Sequence, residues 1–172
     1  MKYNIYPYLK TSRKIYFLFT FVFIFLSKVL LAAPTNDNCT NAINLTPGAS
    51  GVPCSSTAGT VAAATASTPT TTCTGTANDD VWYKFTATST SHTISVTGSA
   101  SFDAVFEFFS GTCGSLTSIA CKDGTFDGGT ETATQTGLTI GNTYYVRVYD
   151  YYTGIPTTPT FTICITTPPP PP

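Results

Sequence analysis

Histidine, methionine and tryptophan are nearly absent from this chain, with one of each. The lone histidine, His92, leaves a Ser-His-Asp triad a single candidate base. No serine sits in a G-x-S-x-G elbow to use it. Cys-x-x-Cys and short paired Cys/His spacings are missing, which removes the usual zinc sites. No P-loop or dinucleotide fingerprint is present. Basic residues are few as well. Of eight, Lys2, Lys10, Arg13, Lys14 and Lys28 fall at the N-terminus. From Ala33 onward only Lys84, Lys122 and Arg147 face nine acids, a net charge of −6. A phosphate backbone needs several Lys/Arg contacts, so nucleic acid is excluded as a partner. An acidic balance suits an exported surface able to hold a cation. Leucine is scarce and threonine abundant beyond the N-terminus, a mix that disfavours helices and suits strands.

The N-terminus reads as an export signal. Met1–Lys14 is basic and contains no acid, Ile15–Leu26 is an almost unbroken apolar run, and Val29–Ala33 supplies small residues for cleavage. We expect residues 1–32 to be a signal peptide. The rival reading is a membrane anchor, because Ile15–Ala33 is long enough to span a bilayer; any membrane contact would then run through this segment alone. The next segment, 33–166, forms one domain, and 167–172 a proline-rich tail of stiff, extended character. All six cysteines lie after the signal. An even count in a small exported domain implies a disulfide framework.

Nine short strands are expected, over Ala42–Thr46, Thr57–Thr65, Val81–Ala87, Thr93–Thr97, Asp103–Phe109, Leu116–Cys121, Glu131–Thr136, Tyr144–Tyr149 and Thr160–Thr166. Alternation is clearest in Val81–Ala87 and Tyr144–Tyr149, and Gly141-Asn142 marks a hairpin. Such spacing with no helix predicts an all-β, disulfide-stabilised, jelly-roll-like sandwich of mostly antiparallel strands.

Several segments resemble a known family. Asp80–Phe85 (DVWYKF), Phe102–Gly111 (FDAVFEFFSG) and Gly137–Tyr151 (GLTIGNTYYVRVYDY) stand in the order found in bacterial pre-peptidase C-terminal domains. Asn36–Cys39, Ser110–Cys113 and Thr160–Cys164 resemble the cysteine-containing versions in large secreted proteins of Bacteroidetes-type bacteria. The resemblance spans nearly all of Asn36–Thr166. It implies a secreted or cell-surface sandwich without catalysis of its own. Such a domain accompanies peptidases or long adhesins and binds substrate, assists secretion or acts as a spacer. Some relatives bind calcium through loop acids, and many long parents leave by the type IX route.

The residues themselves offer three candidate features. For the cysteines, a local Cys113–Cys121 bridge has the best support. Cys54–Cys73 and Cys39–Cys164 would then complete the set, although six cysteines allow fifteen pairings. For metal, Asp123 and Asp127 in KDGTFDGG could ligate calcium with Asp103 or Glu131 nearby, at the weak affinity of extracellular modules; no other cofactor is expected. For a ligand, Tyr145, Tyr149, Tyr151 and Tyr152 could form a row that stacks on sugar rings, against the plainer reading of cross-strand packing. Trp82 reads as core or inter-sheet packing. No catalytic residues are assigned. His92 stands alone, and Asp103 and Glu107 lie about 13 Å apart along one strand face, long for a retaining glycosidase pair. The expected partners are an extracellular polysaccharide or protein surface. Self-association through strand edges, as in a spacer or fibre subunit, is the alternative.

Overall fold

The computed structural model describes residues 31–70 and 72–169. The expected signal peptide lies outside them, apart from its last two residues. Nine strands form: β1 (Ile43–Asn44), β2 (Thr57–Thr60), β3 (Val81–Thr86), β4 (Ser91–Gly98), β5 (Ala104–Thr112), β6 (Ser115–Lys122), β7 (Thr130–Thr136), β8 (Thr143–Asp150) and β9 (Thr160–Thr166). They make two sheets, β1-β3-β8-β5-β6 and β2-β9-β4-β7, antiparallel except where β1 runs parallel to β3. This is the expected jelly-roll-like sandwich. Among the described residues no helix is long and apolar enough to cross a membrane.

Period-two alternation explains the layering, because successive side chains point to opposite faces. Val81, Tyr83 and Phe85 on β3 pair with Val148, Val146 and Tyr144 on β8. Phe106 and Phe108 on β5 continue that inner face. Ile94 and Val96 on β4 and Phe161, Ile163 and Ile165 on β9 face them from the other sheet, and all these residues are buried in one cluster. Each large apolar side chain so buried stabilises the fold by roughly 1.5–3 kcal/mol.

The outer faces of the two sheets differ. That of the four-stranded sheet is exposed and polar, with hydroxyl pairs Thr93–Thr134, Ser95–Thr132 and Thr97–Thr130 bridging β4 and β7. That of the five-stranded sheet is covered. Trp82 packs there with Cys39, Ala42 and Phe109, in a satellite cluster outside the sandwich and not between the sheets as one reading of the sequence had it. The polar stretch before β3 crosses this face as a strap.

The strap explains why the expected cysteine pairing is wrong. The bonds are Cys39–Cys113, Cys54–Cys164 and Cys73–Cys121. Cys113 and Cys121 do not bridge their own hairpin. Cys113 at the β5–β6 turn reaches the entry segment, and Cys121 near the end of β6 fastens the strap. Cys39–Cys164 and Cys54–Cys73 are likewise replaced, because Cys54 leads into β2, the neighbour of β9, which carries Cys164.

Candidate functional site

The strap fixes what the five-stranded sheet can present. Arg147 on β8 lies fully buried beneath it. Its guanidinium donates to Glu107 Oε2 at 2.6 Å and to the Pro69 carbonyl, and stands 3.7 Å from Asp80 Oδ2. It also lies 5.3–5.9 Å from the ring centroids of Trp82, Phe109 and Tyr149, within reach of cation–π attraction. Ser67 donates N–H and hydroxyl to Asp80, Trp82 Nε1 donates to Ser67 Oγ, and Thr72 donates to Glu107. Burial alone would raise Glu107; hydrogen bonds from Ser118, Thr72 and Arg147, with the guanidinium charge, hold it below the ordinary glutamate range. Asp80 stays raised, because its burial outweighs Ser67 and Arg147.

The expected tyrosine row is therefore broken. Tyr149 is buried, and its hydroxyl donates to the Thr74 carbonyl of the strap at 2.6 Å. Tyr145 is half-buried near the start of β8, against the satellite cluster. Only Tyr151 and Tyr152 are exposed, 38% and 53%, with their rings edge-on at 5.1 Å. The strap's threonines conceal the face, and their polarity reads in sequence as an ordinary loop.

A second feature lies at one end of the sandwich. The strands from β3 to β9 alternate in direction, so the starts of β3, β5, β7 and β9 and the ends of β4, β6 and β8 share that end. Asp79 and Asp80 precede β3, Asp103 precedes β5, Asp123 and Asp127 follow β6, Glu131 is the second residue of β7, and Asp150 ends β8. Seven of the nine acids in the chain thus gather at one end. Asp103, Asp123 and Asp127, named from sequence, are brought together there, and their charges act on one another. Asp150 was missed, and Asp79, in the acidic cluster Asn78-Asp79-Asp80, reads in sequence as the start of the Val81 strand and not as a metal ligand. The alternation of strand direction with acids at these particular ends is the signal that would have found them.

The geometry of this end is specific. Asp150 Oδ1 accepts the Asp103 N–H at 2.9 Å, and Oδ2 accepts the Tyr152 N–H at 3.2 Å. Glu131 Oε1 accepts N–H groups from Gly124 and Thr125 and the Thr125 hydroxyl, folding the β6–β7 loop onto itself. Its burial would raise it, yet these bonds and Lys122 hold it low. Gly128 takes a left-handed φ of +72° at the tip of this loop, a conformation glycine adopts without strain. Thr74 donates to Asp123 Oδ2 at 2.6 Å, joining the strap to the loop. Gly75 lets the strap pass, since a Cβ there would stand 2.8 Å from the Tyr151 carbonyl oxygen.

Three carboxylates at this end have buried oxygens without a hydrogen-bond donor, among them Glu131 Oε2, which has only the Lys122 ammonium at 3.7 Å. Asp79 is 1% exposed and neither oxygen meets a donor in hydrogen-bond geometry; Asp103, at 3%, leaves Oδ1 without one. Burial and the charge of Asp150 push Asp79 up to about 7, with the Asp150 N–H easing it only in part. Burial, then the charges of Asp123, Asp127 and Asp150, push Asp103 to about 6. Unpartnered buried carboxylates are costly and fit a hard cation, which takes oxygen ligands. Among the described residues no three acidic side chains already stand close enough to hold a metal.

Exposed apolar residues rim the same end. Phe126 is 82% exposed in the β6–β7 loop and Ile155 63% in the β8–β9 loop, beside Tyr151 and Tyr152. The opposite end holds a surface depression of about 650 Å³, lined mainly by Ser and Thr with Pro168 and Pro169. His92 is buried near it. Its Nε2 accepts N–H groups from Thr88 and Ser89 at 3.1 and 3.2 Å, and its Nδ1 faces the Thr166 carbonyl at 3.3 Å. It holds a turn and is 0% exposed.

Comparison with known proteins agrees with this architecture. Residues 35–163 match the galactose-binding domain-like family associated with type IX secretion, and the chain belongs to that family. The fold is also similar to the pre-peptidase C-terminal domain of collagenase from Bacillus anthracis, at 15% identity and a TM-score of 0.45, over 78% of this chain and 99% of that one. No curated protein matches the chain significantly. The family and the three disulfides fit an extracellular or cell-surface protein.

Proposed function

We propose that the chain is a secreted, non-catalytic binding module that attaches to an extracellular glycan through its acidic, aromatic end. The observation that carries this reading is the exposed Tyr151–Tyr152 pair standing over carboxylates, with Phe126 on the neighbouring loop. Aromatic faces stack on sugar rings, and carboxylates accept hydrogen bonds from sugar hydroxyls. Tyr149 and Tyr145 take no part in this surface. The family description makes galactose-containing glycans the first ligands to try. Oxidised Ala33–Pro172 should bind a subset of an extracellular glycan array, and Tyr152→Ala should lose that binding while keeping its Tm. Binding that survives both Tyr152→Ala and Tyr151→Ala would reject this surface.

A second reading rests on the sheet edges. β6 and β7, of 8 and 7 residues, leave two long edges open on the same side, whereas β1 and β2 on the other side are short. Long unpaired edges invite another chain. A folded domain that ignores glycans but assembles with concentration in sedimentation runs would be a fibre subunit or spacer.

A further inference from the structure

We propose, resting on the open-edge reading and not on the glycan one, that two copies of this domain join through β7, antiparallel and in full register, into a closed two-fold dimer. The two four-stranded sheets then run on as one. Length alone does not choose β7, because β6 is as long. The choice rests on how the four sheet edges are defended. Natural sheets protect their edges with short strands, bulges, prolines, lysines or a covering segment. β1 and β2 have only 2 and 4 residues. β6 carries an irregularity against β5 between Phe108 and Phe109, ends on Lys122, and is tied to the strap through Cys73–Cys121. β7 has none of these devices. It pairs with β4 from Thr130 to Thr136 without a shift, and contains no proline, glycine or lysine. Its one charge, Glu131, is buried and bonded to the β6–β7 loop.

The ladder fixes the register. Gly98 donates its N–H to the Gly129 carbonyl at 3.0 Å, and Ser99 donates to Thr160 on the other side of β4. Antiparallel bonds alternate along a strand. Glu131, Ala133 and Gln135 therefore bond β4, and the backbones of Thr130, Thr132, Thr134 and Thr136 turn to the open edge. Full overlap of two antiparallel β7 strands sets Ala133 opposite Ala133, Thr132 opposite Thr134 and Thr130 opposite Thr136. Each pair that must exchange backbone bonds thus joins two threonines whose groups already point outward. A slip of one residue sets outward groups against inward ones, and a slip of two shortens the overlap. The Thr136 carbonyl accepts the Gln135 amide at 3.3 Å, and a carbonyl can accept two bonds. On the outer face the hydroxyl pairs Thr93–Thr134 and Ser95–Thr132 continue into the second copy, a favourable cross-strand contact. On the inner face Glu131 falls opposite neutral Gln135. Charge selects the antiparallel arrangement, because a parallel one would set two acidic ends side by side. Each copy's β7 covers the other's, so assembly stops at two.

Sedimentation equilibrium of the oxidised domain is the test. The weight-average mass should rise from one copy toward two between roughly 10 µM and 1 mM, the range of a weak interface, and go no further. Over the same range the Thr132 and Thr134 amides should gain protection from hydrogen exchange, and the β6 amides should not. Thr134→Pro removes an outward N–H and spares the β4 ladder; it should stay monomeric throughout. Thr132→Lys with Thr134→Lys sets ammonium groups opposite one another and should weaken association several-fold, although it lowers the net negative charge. Thr132→Lys with Thr134→Glu sets opposite charges there and should restore it. These two double variants decide the matter even where Thr134→Pro fails to fold. A monomer at every concentration would overturn both the dimer and the open-edge reading. Growth beyond two copies, protection on β6 in place of β7, or equal association of the two double variants would overturn the dimer and leave the open-edge reading standing. The glycan reading is untouched by each result, because the acidic end takes no part in the contact.

Discussion

Two groups of buried carboxylates in this domain carry the same charge and meet opposite fates. Under the strap, Glu107 and Asp80 share the guanidinium of Arg147 and several hydroxyl donors. At the loop end, Asp79 and Asp103 have oxygens without any donor. In the first group, partners hold Glu107 below its ordinary range, although burial still raises Asp80 beside it; the second is pushed toward the neutral form by burial and by neighbouring charge. A largely satisfied buried network fixes a structure, whereas buried carboxylate oxygens without donors cost stability. The strapped face is thus scaffold.

The largest expected effect breaks the first group. Arg147→Met removes the cation and leaves Glu107 and Asp80 buried without it. Losing one partner of a buried ion pair costs about 3–5 kcal/mol. Guanidinium unfolding of the oxidised domain should show a loss of that size. Adding Glu107→Gln to Arg147→Met should recover part of it; no recovery would mean that Arg147 acts by packing against Trp82 and Phe109 and not by charge.

Next comes the fastening of the strap. Cys73→Ser with Cys121→Ser should cost about 2–4 kcal/mol through the freed unfolded chain. Limited proteolysis should then cut within residues 66–78 faster than in the parent. Cleavage at the same rate in both would show that the hydrogen bonds to Asp80, Glu107 and Tyr149 hold the strap alone.

Nine strands were legible in sequence, most of them from local alternation and turn residues, although β1 and β2 are shorter than the expected Ala42–Thr46 and Thr57–Thr65. Val81–Ala87 and Tyr144–Tyr149 even showed which side chains face the core. The cysteine pairing was not legible. It depends on where the stretch before β3 travels, and Ser67–Asp80 has no periodicity that reveals a path across β8 and β5 to Cys121. For the same reason Tyr149 read as exposed: alternation places it on the outer face, but nothing local says that face is covered. At the candidate site the β6–β7 loop acids and Asp103 were found from their glycines and charge. Asp79 and Asp150 were not, because they sit as ordinary strand-flanking acids until strand direction brings them together.

A smaller effect, of opposite sign, sharpens the comparison. In calcium-free buffer at pH 8, Asp79→Asn should stabilise the domain by about 1 kcal/mol, since it removes an unpartnered buried charge. Glu107→Gln should destabilise it under the same conditions, since it strips a charge that Arg147 uses. Matching signs for the two substitutions in parallel urea unfolding would erase the distinction between the two groups.

The smallest effect concerns His92, at the end away from the acids. Burial lowers its pKa below the ordinary 6.5, the Thr166 carbonyl only partly opposing this. Its Nε2 must stay unprotonated to accept the Thr88 and Ser89 N–H groups. Below pH 6.5 the unfolded chain therefore binds a proton that the folded one resists. The stability contributed by neutral His92 is complete above 6.5 and is lost as pH falls toward its lowered folded pKa. His92→Gln keeps a side-chain acceptor but cannot titrate. The difference in unfolding free energy between parent and His92→Gln should shift against the parent between pH 7 and pH 5. Taking this difference cancels the titration of the acidic end, which both proteins share. A difference that does not vary with pH would mean that the imidazole titrates alike in the folded and unfolded chain. The turn at Thr88–Ser89 would then be held by something other than the acceptor nitrogen.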